Sequence, residues 1–306
     1  MRYVALALMF ATAGCTDIFT LPIGSGGPPP DASSGATDLA TPTDSFDLDV
    51  DSSTPTNGDG GDAGTLVLPA SCALLNCTPT VNEGSQFLAG GDITGCHAYT
   101  TLTIAAIASV KARRDPVTKL GFSACADTIS VAGALSADGE GEIASMGTGA
   151  GKLCGSGGSH GGSGADPGVC GTGMTYGDPM LPRTAGSGGG GLTATAGGAG
   201  GGTIELSANQ INVLGFITAD GEGGNGTLGG GGAGGSVLLH ARDSITGAGQ
   251  VFARGGLGIG ISGGGVGGGR VAIISPTVSA GVKIDVKGGS SMSGGAAGTM
   301  GTIYHP

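Results

Sequence analysis

Four carboxylates fall at matched places along the chain. Ala137-Asp138-Gly139-Glu140-Gly141 recurs unchanged as Ala219-Asp220-Gly221-Glu222-Gly223. If the segments that carry them lie side by side, Asp138, Glu140, Asp220 and Glu222 meet at one edge. Such hard oxygen ligands could hold Ca²⁺. Two carboxyl groups about 5–5.5 Å apart could also serve as the acid and nucleophile of glycoside hydrolysis. Arg113, Arg254 and Lys287 stand at the equivalent position in other blocks, with Asp220 expected near Arg254. The plainer reading of this column is an outward charge ladder, worth at most ~1 kcal/mol per pair. Asp-Gly is also ordinary turn chemistry.

Other motifs carry less. His97, His160, His240 and His305 are scattered, and His240, between Leu239 and Ala241, is expected to face outward on a strand. Gly157-Gly158-Ser159-His160-Gly161 and Gly260-Ile261-Ser262-Gly263-Gly264 match Gly-x-Ser-x-Gly, but chance produces this pattern in glycine tracts and no helix follows. Gly147-Thr148-Gly149-Ala150-Gly151-Lys152 is a partial phosphate loop, with Met146 in place of the first Gly and Leu153 in place of Ser/Thr.

The elements that must position these residues repeat. Ile204, Val237 and Val271 each follow a Gly-Gly-x or equivalent start, and a partial further start appears at Gly301-Thr302-Ile303. Inside each block an aliphatic residue is followed at fixed offset by another and then by Ala or Val. Examples are Ile129, Leu135 and Ala137, Ile211, Ile217 and Ala219, Ile245, Val251 and Ala253, and Val278, Ile284 and Val286. Ile104, Val110 and Ala112 form a weaker copy. Alternation within the blocks is strand-like. One block cannot bury its apolar stripe, whereas stacked blocks can. The spacing therefore predicts an interior column of Ile104, Ile129, Ile211, Ile245 and Val278.

Composition narrows the class. Glycine supplies 70 of 306 residues and Trp is absent, so helical folds are disfavoured, since Gly costs roughly 1 kcal/mol in a helix interior. No strict Gly-X-Y period supports collagen. Net charge −11 argues against nucleic acid as a partner. Nine Asp residues and no Lys or Arg lie in 16–63, so the acidity belongs to an extended, disordered linker over 16–70, and the body at 71–306 is close to neutral. Gly-rich segments at 146–202, 221–235, 255–268 and 288–301 leave the strands at equivalent points, either as flexible loops or as extended backbone packed side by side.

Residues 1–15 read as an export signal: Arg2, an apolar run to Phe10, then small residues before Cys15. Six further cysteines in an exported chain point to disulfides. Local pairing is expected, Cys72–Cys77, Cys96–Cys125 and Cys154–Cys170; the spacing of Cys72 and Cys77 is a weak metal-ligand alternative.

Two resemblances can then be named. Thr12-Ala13-Gly14-Cys15 resembles the lipobox of bacterial lipoproteins, which implies lipidation at Cys15, a membrane partner through that lipid, and an outer-membrane location facing the periplasm or the cell surface. The Gly-Gly-x-Ile-x-Leu-x-Ala and Ile-x-x-x-Gly-x-Ile-x-Ala-x-Gly patterns resemble the glycine-rich right-handed parallel β-helix of Gram-negative surface proteins over about 97–304. In composition the chain is similar to the PE-PGRS proteins, whose helical N-terminal domain has no counterpart here. The expected fold is all-β: a right-handed parallel β-helix, a solenoid of about five coils with glycine-rich loops. The expected function is structural, adhesive or binding, toward a polysaccharide or a surface protein, without catalysis and without a cofactor. The alternative is a polysaccharide lyase or glycoside hydrolase using the stacked carboxylates, with Ca²⁺; pectate lyases resemble this in their use of Ca²⁺ carboxylates and a basic residue. A cleft lined by Asp138, Asp220 and a basic residue would favour the enzyme, and a face bearing only Ser, Thr and Gly side chains would favour a scaffold or binding role.

Overall fold

Alternating aliphatic residues drive the chain into strands that stack in register. In the computed structural model the described residues are 67–168, 171–191, 193, 196–226, 228–260, 263–292 and 295–306. Cys15, the signal segment and the linker up to residue 66 lie outside the described residues.

The larger sheet has eight strands: β1 (Ser85–Leu88), β3 (Cys96–Ala98), β4 (Thr101–Ile104), β6 (Phe122–Val131), β8 (Thr203–Val213), β11 (Ser236–Gly247), β14 (Arg270–Ile274) and β16 (Thr302–Tyr304). Its order is β1-β4-β6-β8-β11-β14-β16, with β3 also on β6, and every pairing is parallel. The second sheet has six parallel strands: β2 (Gly91–Ile93), β5 (Ser109–Ala112), β7 (Ala134–Ser136), β9 (Phe216–Thr218), β12 (Gln250–Phe252) and β15 (Lys283–Asp285). A two-stranded antiparallel pair joins β10 (Leu228–Gly229) to β13 (Ile259–Gly260). A single 3-10 turn at Ala70–Leu74 is the only helical element among the described residues.

The expected right-handed parallel β-helix of about five coils is corrected by this topology. The strands form two parallel sheets, the main path of the larger one has seven levels, and no closed solenoid is present among the described residues. Repeats in sequence specify which strands lie beside one another. They do not specify how the sheets are joined. Parallel strands need long crossovers, usually helices; here each crossover passes through a strand of the second sheet, and from β6 onward also through a glycine segment.

The core lies on the inward faces of both sheets. Phe122, Ile204, Val237 and Val271 form one in-register column, and Ala124, Leu206, Leu239 and Ile273 a second, all buried. The six-stranded sheet contributes Val110, Leu135, Ile217, Val251 and Ile284. Ile129, Ile211, Ile245 and Val278 align as expected, but Leu102 rather than Ile104 completes their column. Two extra residues sit in the corner between β4 and β5, where Ile107 is 99% exposed. A shift of two keeps every side chain on its face, so alternation conceals it.

The glycine segments are ordered by backbone hydrogen bonds and behave as packed extended chain. Gly186 and Gly189 donate to Gly201 and Gly198; Glu142 and Ser145 donate to Gly186 and Gly189; Gly198 and Gly201 donate to Gly230 and Ala233. In each case residues three apart bond to the same neighbour. Three residues per turn is the period of polyproline II, whose N–H groups here bond sideways to adjacent segments. Such packing needs bare backbone: a Cβ on Gly157 would collide with the carbonyl of Gly265, and one on Gly190 with that of Lys152.

Two of the three expected local pairings, Cys72–Cys77 and Cys96–Cys125, are replaced by others. Cys72 pairs with Cys125 and Cys77 with Cys96. The 3-10 turn lies against β6, where the Ser71 hydroxyl donates to the Ala126 carbonyl at 2.9 Å, which brings Cys72 to Cys125. Cys154 is disulfide-bonded, and Cys170 lies outside the described residues.

Candidate functional site

The carboxylates singled out by sequence are placed first. Ser136 pairs with Thr218, so Asp138 and Asp220 follow on neighbouring strands. Asp138 Oδ1 accepts the Asp220 N–H at 2.6 Å, and its Oδ2 accepts the Thr218 hydroxyl at 2.9 Å. Asp220 repeats this one strand on: Oδ1 accepts the Arg254 N–H at 2.6 Å, and Oδ2 accepts Arg254 Nη2 at 2.6 Å and Nε at 3.0 Å. Burial pushes the Asp220 carboxyl above its ordinary pKa, and the Arg254 hydrogen bonds oppose this without cancelling it. Glu140 turns the other way, to Arg113 Nη1 at 2.7 Å and Lys111 Nζ at 3.6 Å. Lys111 Nζ also donates to the Asp138 carbonyl. Glu222 lies beside Gly139, and Lys287 pairs with Asp285 at 3.5 Å. Asp138 and Asp220 are thus brought together, but their oxygens are turned to backbone, hydroxyl and guanidinium donors. The arrangement ties successive strand ends to one another. Among the described residues no group of three or more His, Cys, Asp or Glu is placed to hold a metal ion.

Ser159, His160 and His97 are also absorbed by the fold. Ser159 donates to the Gly173 carbonyl at 2.7 Å, while the His160 ring contacts the Gly234 carbonyl at 2.7 Å and the Thr184 hydroxyl at 2.9 Å. The two make no nucleophile–base pair. Burial drives His160 down to about 4, so it is neutral near pH 7. His97 is held by Glu83 at 2.6 Å and the Thr94 carbonyl at 2.8 Å. Ser262 lies outside the described residues.

A different face stands out. On the outer side of the eight-stranded sheet, Ser85, Thr101, Thr128, Gln210 and Ser244 form one in-register column. Phe87, Thr103, Ser130, Asn212 and Thr246 form the column two residues along. The bridge between Ile245 and Val278 extends both columns toward Thr277 and Ser279. All of these side chains are exposed or half-exposed, and none is charged. Strand geometry sets their spacing at about 4.8 Å across the strands and roughly 6.7 Å along them. Each hydroxyl and amide can both donate and accept. The Thr246 hydroxyl donates to Asn212 Oδ1 at 3.4 Å, a weak cross-strand contact that leaves most of this capacity facing outward.

Comparison with protein-family models, curated proteins and solved structures finds no match for this chain. The face must therefore be read from its chemistry. Its signal lies in triplets around the buried column: Thr101-Leu102-Thr103, Thr128-Ile129-Ser130, Gln210-Ile211-Asn212, Ser244-Ile245-Thr246 and Thr277-Val278-Ser279. Aligning the central aliphatic residues alone misses the polar flanks.

Proposed function

We propose that this chain is a surface-tethered binding protein that engages an extended, uncharged polysaccharide through the outer face of its eight-stranded sheet, with lipid on Cys15 as the tether. The carrying observation is the pair of columns at Thr101, Thr128, Gln210 and Ser244 and at Thr103, Ser130, Asn212 and Thr246, which present hydroxyl and amide groups at a regular repeat. Two uncharged columns suit an uncharged ligand, and a repeating face suits a repeating polymer. Each hydrogen bond nets only ~1 kcal/mol, so affinity would accumulate over several sugar residues. The engagement of Asp138 and Asp220 by donors from Thr218, Asp220 and Arg254 favours binding over hydrolysis.

The test is retention on insoluble cellulose and chitin and retardation by soluble neutral glucans. Wild-type protein is expected to be retained by at least one of these. Thr128→Lys with Ser244→Lys, two positions from one column, should reduce retention at least tenfold. Equal retention of the variant, or no retention of the wild type, would defeat the reading. For the tether, Cys15→Ser should abolish incorporation of labelled palmitate and release the protein from membranes.

A further inference from the structure

A second site lies on the same sheet, between the 3-10 turn, the middle of β11 and the end of β14. A cavity of about 690 Å³ opens there, walled by Leu74, Ile274 and Pro276 and carrying Arg242, His240 and His305. Ligand cavities typically span about 300–1,000 Å³ and combine apolar walls with a few convergent polar groups. No acidic side chain lines it.

Two independent features mark the site as built. The register of β11 on β8 shifts between Ala241 and Ser244, so Arg242 and Asp243 together oppose Asn209. Arg242 follows the alternation that turns Ala241 into the core and His240 outward, so its side chain stands beside His240 on the cavity wall, where the bulge locally redirects the strand. The opposite wall is preorganised, because Cys72 in the 3-10 turn is bonded to Cys125 of β6 and the Ser207 hydroxyl donates to the Ser71 carbonyl at 2.9 Å. The side chains of Arg242, His240 and His305 form no hydrogen bond or ion pair with any described residue, although the Glu205 carboxylate lies close enough to be felt by the His240 ring. A guanidinium offers five donors in a fork that matches a carboxylate or sulfonate.

We propose that this cavity binds a small organic anion, with its apolar body against Leu74, Ile274 and Pro276 and its anionic group on Arg242 beside His240. The ligand class and the location both differ from those of the polysaccharide face, so either proposal can fail alone.

The experiment uses two probes of one skeleton on the full-length protein. One is 1-anilinonaphthalene-8-sulfonate, and the other is N-phenyl-1-naphthylamine, which lacks the sulfonate. Fluorescence titration should show saturable one-to-one binding of both. Arg242→Gln should weaken the sulfonate about tenfold, roughly the worth of one charge-assisted pair, and leave the neutral probe within twofold. Ile274→Trp should exclude both, with the circular dichroism and thermal midpoint unchanged in Arg242→Gln as the check on folding. Non-saturable binding, or equal response of the two probes to Arg242→Gln, would overturn the proposal.

Discussion

Arg254 grips both oxygens of Asp220: its backbone N–H reaches Oδ1 at 2.6 Å and its guanidinium reaches Oδ2 at 2.6 Å. The same guanidinium lies 4.2 Å from the centre of the Phe252 ring. One side chain thus fixes the carboxylate, its own strand and the aromatic beside it. A carboxylate held this way serves as a joint between strands.

Asp220→Asn tests that assignment. It keeps an acceptor for the Arg254 N–H but removes the charge, and Arg254 is partly exposed and can turn to water. The expected loss is about 1 kcal/mol of unfolding free energy in urea titration, in line with a screened pair, with polysaccharide retention unchanged. A catalytic carboxylate would instead show itself as turnover in the wild type that vanishes in the variant with stability intact.

The glycine layer offers a sharper contrast. At Gly157 a Cβ would strike the Gly265 carbonyl, whereas at Gly223 the nearest atom would be 3.4 Å away. Gly157→Ala should therefore cost more than about 3 kcal/mol or prevent folding, and Gly223→Ala should stay within about 1 kcal/mol. Thermal unfolding of both variants decides it. Equal tolerance would mean the segments are loosely packed.

Sequence made the stacking legible because each buried aliphatic residue repeats at a fixed offset, and Ile129, Ile211, Ile245 and Val278 do align. It placed Asp220 beside Arg254 for the same reason. It misplaced Ile104, since a two-residue insertion leaves alternation intact. It missed the Cys72–Cys125 bond because nothing in the sequence shows that the 3-10 turn folds back onto β6. The glycine layer was only half legible. A bare backbone carries no side-chain pattern, so its partners appear only in hydrogen bonds such as Gly189 to Gly198. The Arg242 bulge was likewise hidden, because it exists only in the register of one strand against another.

His160 supplies a pH dependence. Its ring is buried against the Gly234 carbonyl, the Thr184 hydroxyl and the Tyr176 ring, with Arg270 nearby, and burial lowers its pKa from 6.5 to about 4. Between those values the unfolded chain binds the proton and the folded chain does not, so stability rises with pH across the window and falls as pH drops below 6.5. Below about 4 the effect levels off. The full span is on the order of 3 kcal/mol. Unfolding titrations at pH 7.5 and pH 4.5 should show most of this loss in wild-type protein, and His160→Gln should flatten it. A wild-type stability unchanged between these pH values would contradict the neutral, buried imidazole.

Adjacent residues on β6 separate the face from the core. Ile129 is fully buried between Leu102 and Ile211, while Thr128 beside it is exposed between Thr101 and Gln210. Ile129→Ala removes packed methyl groups and should cost about 2–5 kcal/mol. Thr128→Val keeps a β-branched shape that suits a strand, so stability should stay within about 0.5 kcal/mol, yet it deletes one hydroxyl from the proposed polysaccharide face. Retention on the polymer should then fall several-fold without any change in the unfolding midpoint. If Thr128→Val, Ser130→Ala and Thr246→Val together leave retention intact, the columns are only an outer surface and the binding face must be sought elsewhere on the molecule.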